Sequence, residues 1–160
     1  MIGVVARPIV VGLGLAVVVA GCPCQKPAPP PPPPAPPIYN LCIEAGPRLN
    51  WYSESSHTLY VRLFQLSSLD AFQQAEAGHL LDPQLNLPGL QGTPMERTVY
   101  PGSKITVEVH QLPDAQYLGV VAGYYHVDGP AKTHQLMTRP TAGGKDPGCL
   151  RLGPNAIEVR

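Results

Sequence analysis

Charge of one sign is what this sequence lacks most plainly: 11 Lys and Arg stand against 11 Asp and Glu over 160 residues. A nucleic-acid binder needs a cation surplus to displace phosphate counterions, so nucleic acid is not expected as a partner. Charged residues make up 14% of the chain, against about 25% in an average globular protein. Two regions account for the shortfall, an apolar start and a proline tract. Long apolar runs are also missing. Ile9 to Ala20 is about a dozen residues, too short to cross a bilayer core of roughly 30 Å as a helix. The histidines (His57, His79, His110, His126 and His134) show neither H-E-x-x-H nor Cys-His finger spacing, so no metal site is expected. There is no G-x-S-x-G and no phosphate loop. No catalytic residue and no cofactor are therefore assigned, and the chain does not read as an enzyme. The length leaves room for one domain of ordinary size.

Residues 1–21 have the layout of a secretory signal: Arg7, then the apolar run, then small residues. The run ends Val19-Ala20-Gly21-Cys22, which resembles the lipobox of bacterial lipoproteins. Small residues fit a narrow protease site, and the Cys22 thiolate is the group that accepts lipid. The resemblance implies cleavage before Cys22, which becomes the lipidated N-terminus. Each buried CH₂ adds about 0.8 kcal/mol, so two or three acyl chains hold durably. Pro23 follows Cys22. Asp at that place is the usual sign of inner-membrane retention, so its absence favours the outer membrane, with the domain facing the periplasm.

Residues 22–37 form the lipidated cysteine and a tether. From Pro23 to Pro37, 10 of 15 residues are proline. Proline fixes φ and lacks the N–H, so neither helix nor central strand forms. The expected form is polyproline II, with a reach of roughly 45 Å at about 3.1 Å per residue. A stiff spacer is the preferred reading over a docking site for a proline-recognising domain.

The domain from Ile38 to Arg160 reads as all-β. Leu59 to Leu66 alternates, with Leu59, Val61 and Leu63 on one face and Tyr60, Arg62, Phe64 and Leu66 on the other. Lys104 to Gln111 alternates likewise. Tyr117 to Tyr125 is nearly all apolar and suits a central strand, with Gly119 and Gly123 marking close backbone approach or a bulge. Shorter strands are expected at Asn40–Ala45, Glu96–Tyr100, His134–Thr138, Cys149–Leu152 and Ala156–Val159. Turn signals separate them, among them Pro101-Gly102, Pro113-Asp114 and Asp128-Gly129-Pro130. About seven short strands at this spacing point to a two-sheet β-sandwich. One helix is expected over Leu69–Gly78, capped by Ser68, with Leu69, Phe72 and Ala75 on one face. Leu80 to Gly92, broken by Pro83 and Pro88, reads as loop.

Beyond Cys22 there are Cys24 in the tether, Cys42 in the first strand and Cys149 near the last but one. In an oxidising compartment Cys42 and Cys149 are candidates for a disulfide. Strand cysteines also serve as small core residues, and the Cα separation decides between the two.

The stretch from Leu49 to Tyr125 resembles the TssJ (VasD/Lip) family, the outer-membrane lipoproteins of type VI secretion. The resemblance rests on Leu49-Asn50, the strand Leu59 to Leu66, the segment Asp70 to Ala75, the turn Pro101-Gly102 and the run Tyr117 to Tyr125. It implies a transthyretin-like sandwich with one short added helix and loop. It implies a structural role: binding the periplasmic C-terminal domain of TssM, with TssL in the same complex. It also implies that the loop between the first two strands, here Asn50–Thr58, contributes to that contact. Trp51 and Tyr52 are the candidate anchors there, being large rigid aromatics, followed by Glu54 and Ser55. The competing reading is a lipid-anchored transthyretin-like module for a small ligand or cell-wall glycan, with a concave site lined by aromatics.

Overall fold

The computed structural model describes residues 35–137 and 149–158. The signal segment, Cys22, Cys24 and most of the tether lie outside the described residues. Among the described residues, eight strands form two four-stranded sheets: β1 (Ile38–Ala45), β2 (Leu59–Leu66), β3 (Leu90–Val99), β4 (Lys104–His110), β5 (Tyr117–Ala122), β6 (Lys132–Leu136), β7 (Leu150–Leu152) and β8 (Ile157–Glu158). The strand orders are β4-β1-β7-β8 and β3-β2-β5-β6. All pairings are antiparallel except β1 with β7. The fold is a transthyretin-like β-sandwich.

Alternation builds the core. Leu41 and Ile43 of β1, Val61 and Leu63 of β2, Val107 and Val109 of β4, and Leu118 and Val120 of β5 point inward and are buried together. The outer face of β2 is covered as well. Phe64 and Leu66, with Val121 of β5, make a second cluster with Phe72, Leu80 and Leu87 from the β2–β3 connection. That connection carries α1 (Asp70–Gln74) and α2 (Ala77–Leu80). Gly119 is where it comes closest: a Cβ there would sit 2.8 Å from two Phe72 ring carbons. Glycine lets the ring lie directly on the sheet.

Several boundaries differ from the sequence expectation, each for a tertiary reason. The single helix is split, because Ala75 is extended at ψ 142°. Lys132 on β6 explains the break. Its ammonium donates to the carbonyls of Phe72 (3.0 Å), Gln73 (2.6 Å) and Ala75, oxygens at the end of α1. Ser68 stands one residue before the Leu69 cap position, and its hydroxyl accepts the Asp70 N–H at 3.3 Å. Strand β3 begins at Leu90, inside the segment read as loop. Between Leu63–Met95 and Gln65–Gln91 the register shifts, and Gly92 at φ 67° absorbs the bulge. Pro94 is tolerated because β3 is an edge strand. Strand β6 begins two residues earlier than expected, and β5 stops at Ala122 rather than Tyr125.

Arg62 on β2 is buried under α2. One guanidinium nitrogen donates to the carbonyls of Leu80 (3.1 Å) and Asp82 (2.6 Å). The half-exposed Glu96 carboxylate lies 3.5 Å from Nε. Burying a cation is tolerated when such acceptors replace water.

A disulfide joins Cys42 and Cys149, with Cα atoms 4.5 Å apart. The neighbouring residues pair as Ile43 with Leu150. Both side chains are partly buried on the outer side of the first sheet, opposite the inward-facing Leu41, Ile43 and Leu150.

Candidate partner-docking surface

The strand directions gather the connections at two poles. Glu44 pairs with Lys104, Leu59 with Val99, Val61 with Ala122, and Leu152 with Ile157. The connections 46–58, 100–103, 123–131 and 153–156 therefore meet at one pole. The chain enters the domain at the other, where Gln111 N–H donates to the Pro37 carbonyl at 2.8 Å. Strands of eight residues, such as β1 and β2, hold the poles roughly 25 Å apart.

Loop 46–58 is tightly organised. Tyr52 and Ser55 exchange backbone hydrogen bonds of 3.1 Å in each direction. The two residues between them, Ser53 (φ 49°) and Glu54 (φ 60°), are both left-handed. Tight turns of that kind favour Asn-Gly, and non-glycine residues in them cost energy. Asn50, also left-handed at φ 44°, is buried. Its amide donates to the Thr58 carbonyl at 3.1 Å and accepts the Tyr125 N–H at 2.9 Å. One side chain thus ties the β1–β2 loop to the β5–β6 loop.

The rings follow that tie. Tyr52 stacks on His57 at 3.7 Å and on Tyr125 at 4.3 Å, and His126 meets Tyr125 edge-on at 4.8 Å. Trp51 is partly buried, with the Arg48 guanidinium 4.4 Å from its ring centroid. Its backbone N–H donates to the Pro154 carbonyl at 2.9 Å in the β7–β8 turn. That turn also takes the Asp128 N–H on the Asn155 carbonyl at 3.2 Å and the Tyr124 hydroxyl on the Ala156 carbonyl at 2.8 Å.

Burial foremost, then the nearby Glu158 carboxylate, raises the Tyr124 phenol well above the ordinary tyrosine range. It remains a donor at any physiological pH. A raised folded-state pKa contributes stability that is complete below the unfolded value of about 10 and is lost as pH rises through the folded one. Stability is therefore expected to fall above about pH 10, and Tyr124→Phe to flatten that alkaline slope while costing about 1 kcal/mol at neutral pH. Urea unfolding at a series of pH values measures both.

The four residues singled out in the sequence lie together in this loop. Trp51 and Tyr52 are partly buried, and Glu54 and Ser55 are exposed at the turn tip. Sequence reasoning missed Tyr125, His126 and Val127, because the run from Tyr117 reads as one strand up to Tyr125. Gly123, just past the last strand residue, was the signal that the strand ends early. The Ser55 hydroxyl lies 2.9 Å from His57 Nε2, which is also 3.2 Å from the Tyr52 carbonyl. The Ser55 hydroxyl also donates to the Tyr52 carbonyl at 3.4 Å, so the three groups lie together within the turn. Among the described residues no three His, Cys, Asp or Glu side chains converge as metal ligands. A groove at the opposite pole is lined by Pro36, Pro37, His110, Gln111, Leu112, Pro113 and Met137.

The described residues thus form a two-sheet sandwich with a helical cover and an interlocked loop pole. The model of the family T6SS-SciN, "Type VI secretion lipoprotein, VasD, EvfM, TssJ", matches residues 37–159, so the chain belongs to this family of type VI secretion lipoproteins. The match extends well past the Leu49–Tyr125 stretch that carries the resemblance in the sequence. No curated protein matches the chain. Among solved structures it is similar to the T6SS lipoprotein TssJ1 from Pseudomonas aeruginosa, at 23% identity and TM-score 0.64, covering 77% of this chain and 94% of that one. It is similar to Lip of Serratia marcescens, a membrane-bound component of the type VI secretion system, at 19% identity and TM-score 0.63, covering 78% and 97%. It also matches a chain from the structure "T6SS protein TssM C-terminal domain (869-1107) from EAEC", at 17% identity and TM-score 0.65, covering 76% and 96%. These likenesses are of fold.

Proposed function

We propose that this chain is a structural lipoprotein of the type VI secretion membrane complex. Lipid on Cys22 fixes it to the outer membrane, and the domain faces the periplasm. The loop pole holds the periplasmic C-terminal domain of TssM, in one assembly with TssL. The protein carries out no chemistry; it converts a lipid attachment into a fixed point for a partner that reaches from the inner membrane.

The observation that carries this reading is the separation of the two poles. The chain enters the domain at one, and the interlocked aromatic loops sit at the other, some 25 Å further along the strands. A domain held at its entry pole presents its loop pole away from the membrane. The membership in a family of type VI secretion lipoproteins, and the likeness of fold to a chain of a structure titled for the TssM C-terminal domain, support the choice of partner.

The test is titration of the full chain, purified in detergent, against the periplasmic C-terminal domain of the TssM from the same organism. A Kd of micromolar or tighter is expected, weakened at least tenfold by Trp51→Ala combined with Tyr52→Ala. Absence of binding by a folded chain at high concentration would refute the role.

A further inference from the structure

Three large apolar side chains at the loop pole are mostly exposed, Tyr100 (62%) on the β3–β4 turn and two on the β5–β6 loop. Tyr125 is 67% exposed and Val127 54%. This loop is not slack. Gly123 N–H donates to the Tyr60 carbonyl and Ala122 N–H to the Ala131 carbonyl, each at 2.8 Å. Tyr125 N–H is held by Asn50, Asp128 N–H by the Asn155 carbonyl, and the Asp128 carboxylate by the Asn155 amide at 2.6 Å. An aromatic and a branched aliphatic displayed on a rigid backbone have already met the ordering cost that a partner would otherwise have to offset.

Tyr52 stands differently. Two stacked rings cannot share one face, so His57 and Tyr125 cover the two faces of the Tyr52 ring between them. Little of it remains for a partner to touch. Trp51 already carries Arg48 over its ring.

We infer that Tyr125 and Val127 make the direct contact with the docked protein, and that Tyr52 is a positioning residue that props Tyr125 from behind. This rests on the proposed function. The occupant is the TssM periplasmic C-terminal domain, offering an apolar recess for the Tyr125 ring. The occupant follows from the place of the pair: the pole away from chain entry, continuous through Asn50 and the ring stack with loop 46–58.

The experiment again uses the full chain in detergent and that TssM domain. Tyr125→Ala and Val127→Asp are each expected to weaken binding at least tenfold with the thermal midpoint unchanged, since both side chains are mostly exposed. Tyr52→Phe, which keeps the stacked ring, is expected to bind as the wild type does. A benzophenone amino acid replacing Val127 is expected to cross-link to the partner. If the wild-type chain does not bind, the proposed function falls and this inference with it. If the wild type binds, Tyr125→Ala and Val127→Asp bind equally well, and cross-links form from position 54 but not 127, the inference is overturned while the function stands. Should Val127→Asp lower the thermal midpoint, the cross-link from position 127 decides.

Discussion

Replacing both Cys42 and Cys149 with alanine is expected to lower the unfolding free energy by about 4–5 kcal/mol, the chain-entropy value for a closed loop of about 100 residues. The two cysteines are 107 residues apart, so the bond constrains most of the unfolded domain. The native state depends on it locally as well. Strand β7 has three residues and contributes three register pairs to β1, Ile43–Leu150, Glu44–Arg151 and Ala45–Leu152. Without the bond β7 is held by these pairs, by β8 and by the burial of Leu150 and Leu152 alone, and its loosening reaches the carbonyls of Pro154, Asn155 and Ala156 that support the loop pole. Faster hydrogen exchange is therefore expected at the amides of Trp51 and Asp128 as well as in β7. Urea unfolding of the wild type and the double variant gives the first quantity, and exchange mass spectrometry the second. An unchanged urea midpoint would show that the bond does not form in the native chain or does not staple it.

Phe72→Ala is expected to cost about 3–5 kcal/mol, the usual range for emptying a buried aromatic site. The ring is 1% exposed. It lies 5.7 Å from the Phe64 ring and directly on Gly119, and the surrounding cluster is separate from the sandwich core. The loss therefore falls on the β2–β3 connection. Residues 67–89 are expected to lose exchange protection first, with the Arg62 hydrogen bonds to Leu80 and Asp82 released alongside. The loop pole rests on the inner core and on β7–β8, so binding of the TssM domain is expected to survive at temperatures where the variant remains folded. Differential scanning calorimetry with the titration above separates the two effects. A variant as stable as the wild type would show that the helical cover adds nothing to the fold. Gly119→Val tests the same contact from below. A Cβ 2.8 Å from the ring carbons forces Phe72 to move, at an expected cost of about 1–3 kcal/mol.

Much of the fold is legible in the amino-acid sequence. The run from Leu59 to Leu66 marks both ends of β2, because successive side chains of a strand point to opposite faces and both faces here are largely apolar. The same rule places the inward residues of β4, and the turn residues mark most connections. The proline tract stands in the sequence as a local pattern, whereas the lipobox reading at Cys22 and the choice of the loop around Trp51 and Tyr52 come from resemblance to known families. What escapes a sequence reading depends on residues far apart in the chain. The helix is broken at Ala75 where Lys132, 57 residues further on, competes for the carbonyls of α1. Gly92 and Pro94 read as breakers, yet a bulge on an edge strand admits both. Tyr125 belongs to an apolar run by pattern and to the loop pole by structure, because Asn50 takes its N–H. Local periodicity therefore determined which segments are strands and which face of each is apolar. Only the tertiary structure decided where strands stop and which loops share a pole, because those outcomes depend on hydrogen bonds and ring contacts between residues that no local pattern relates.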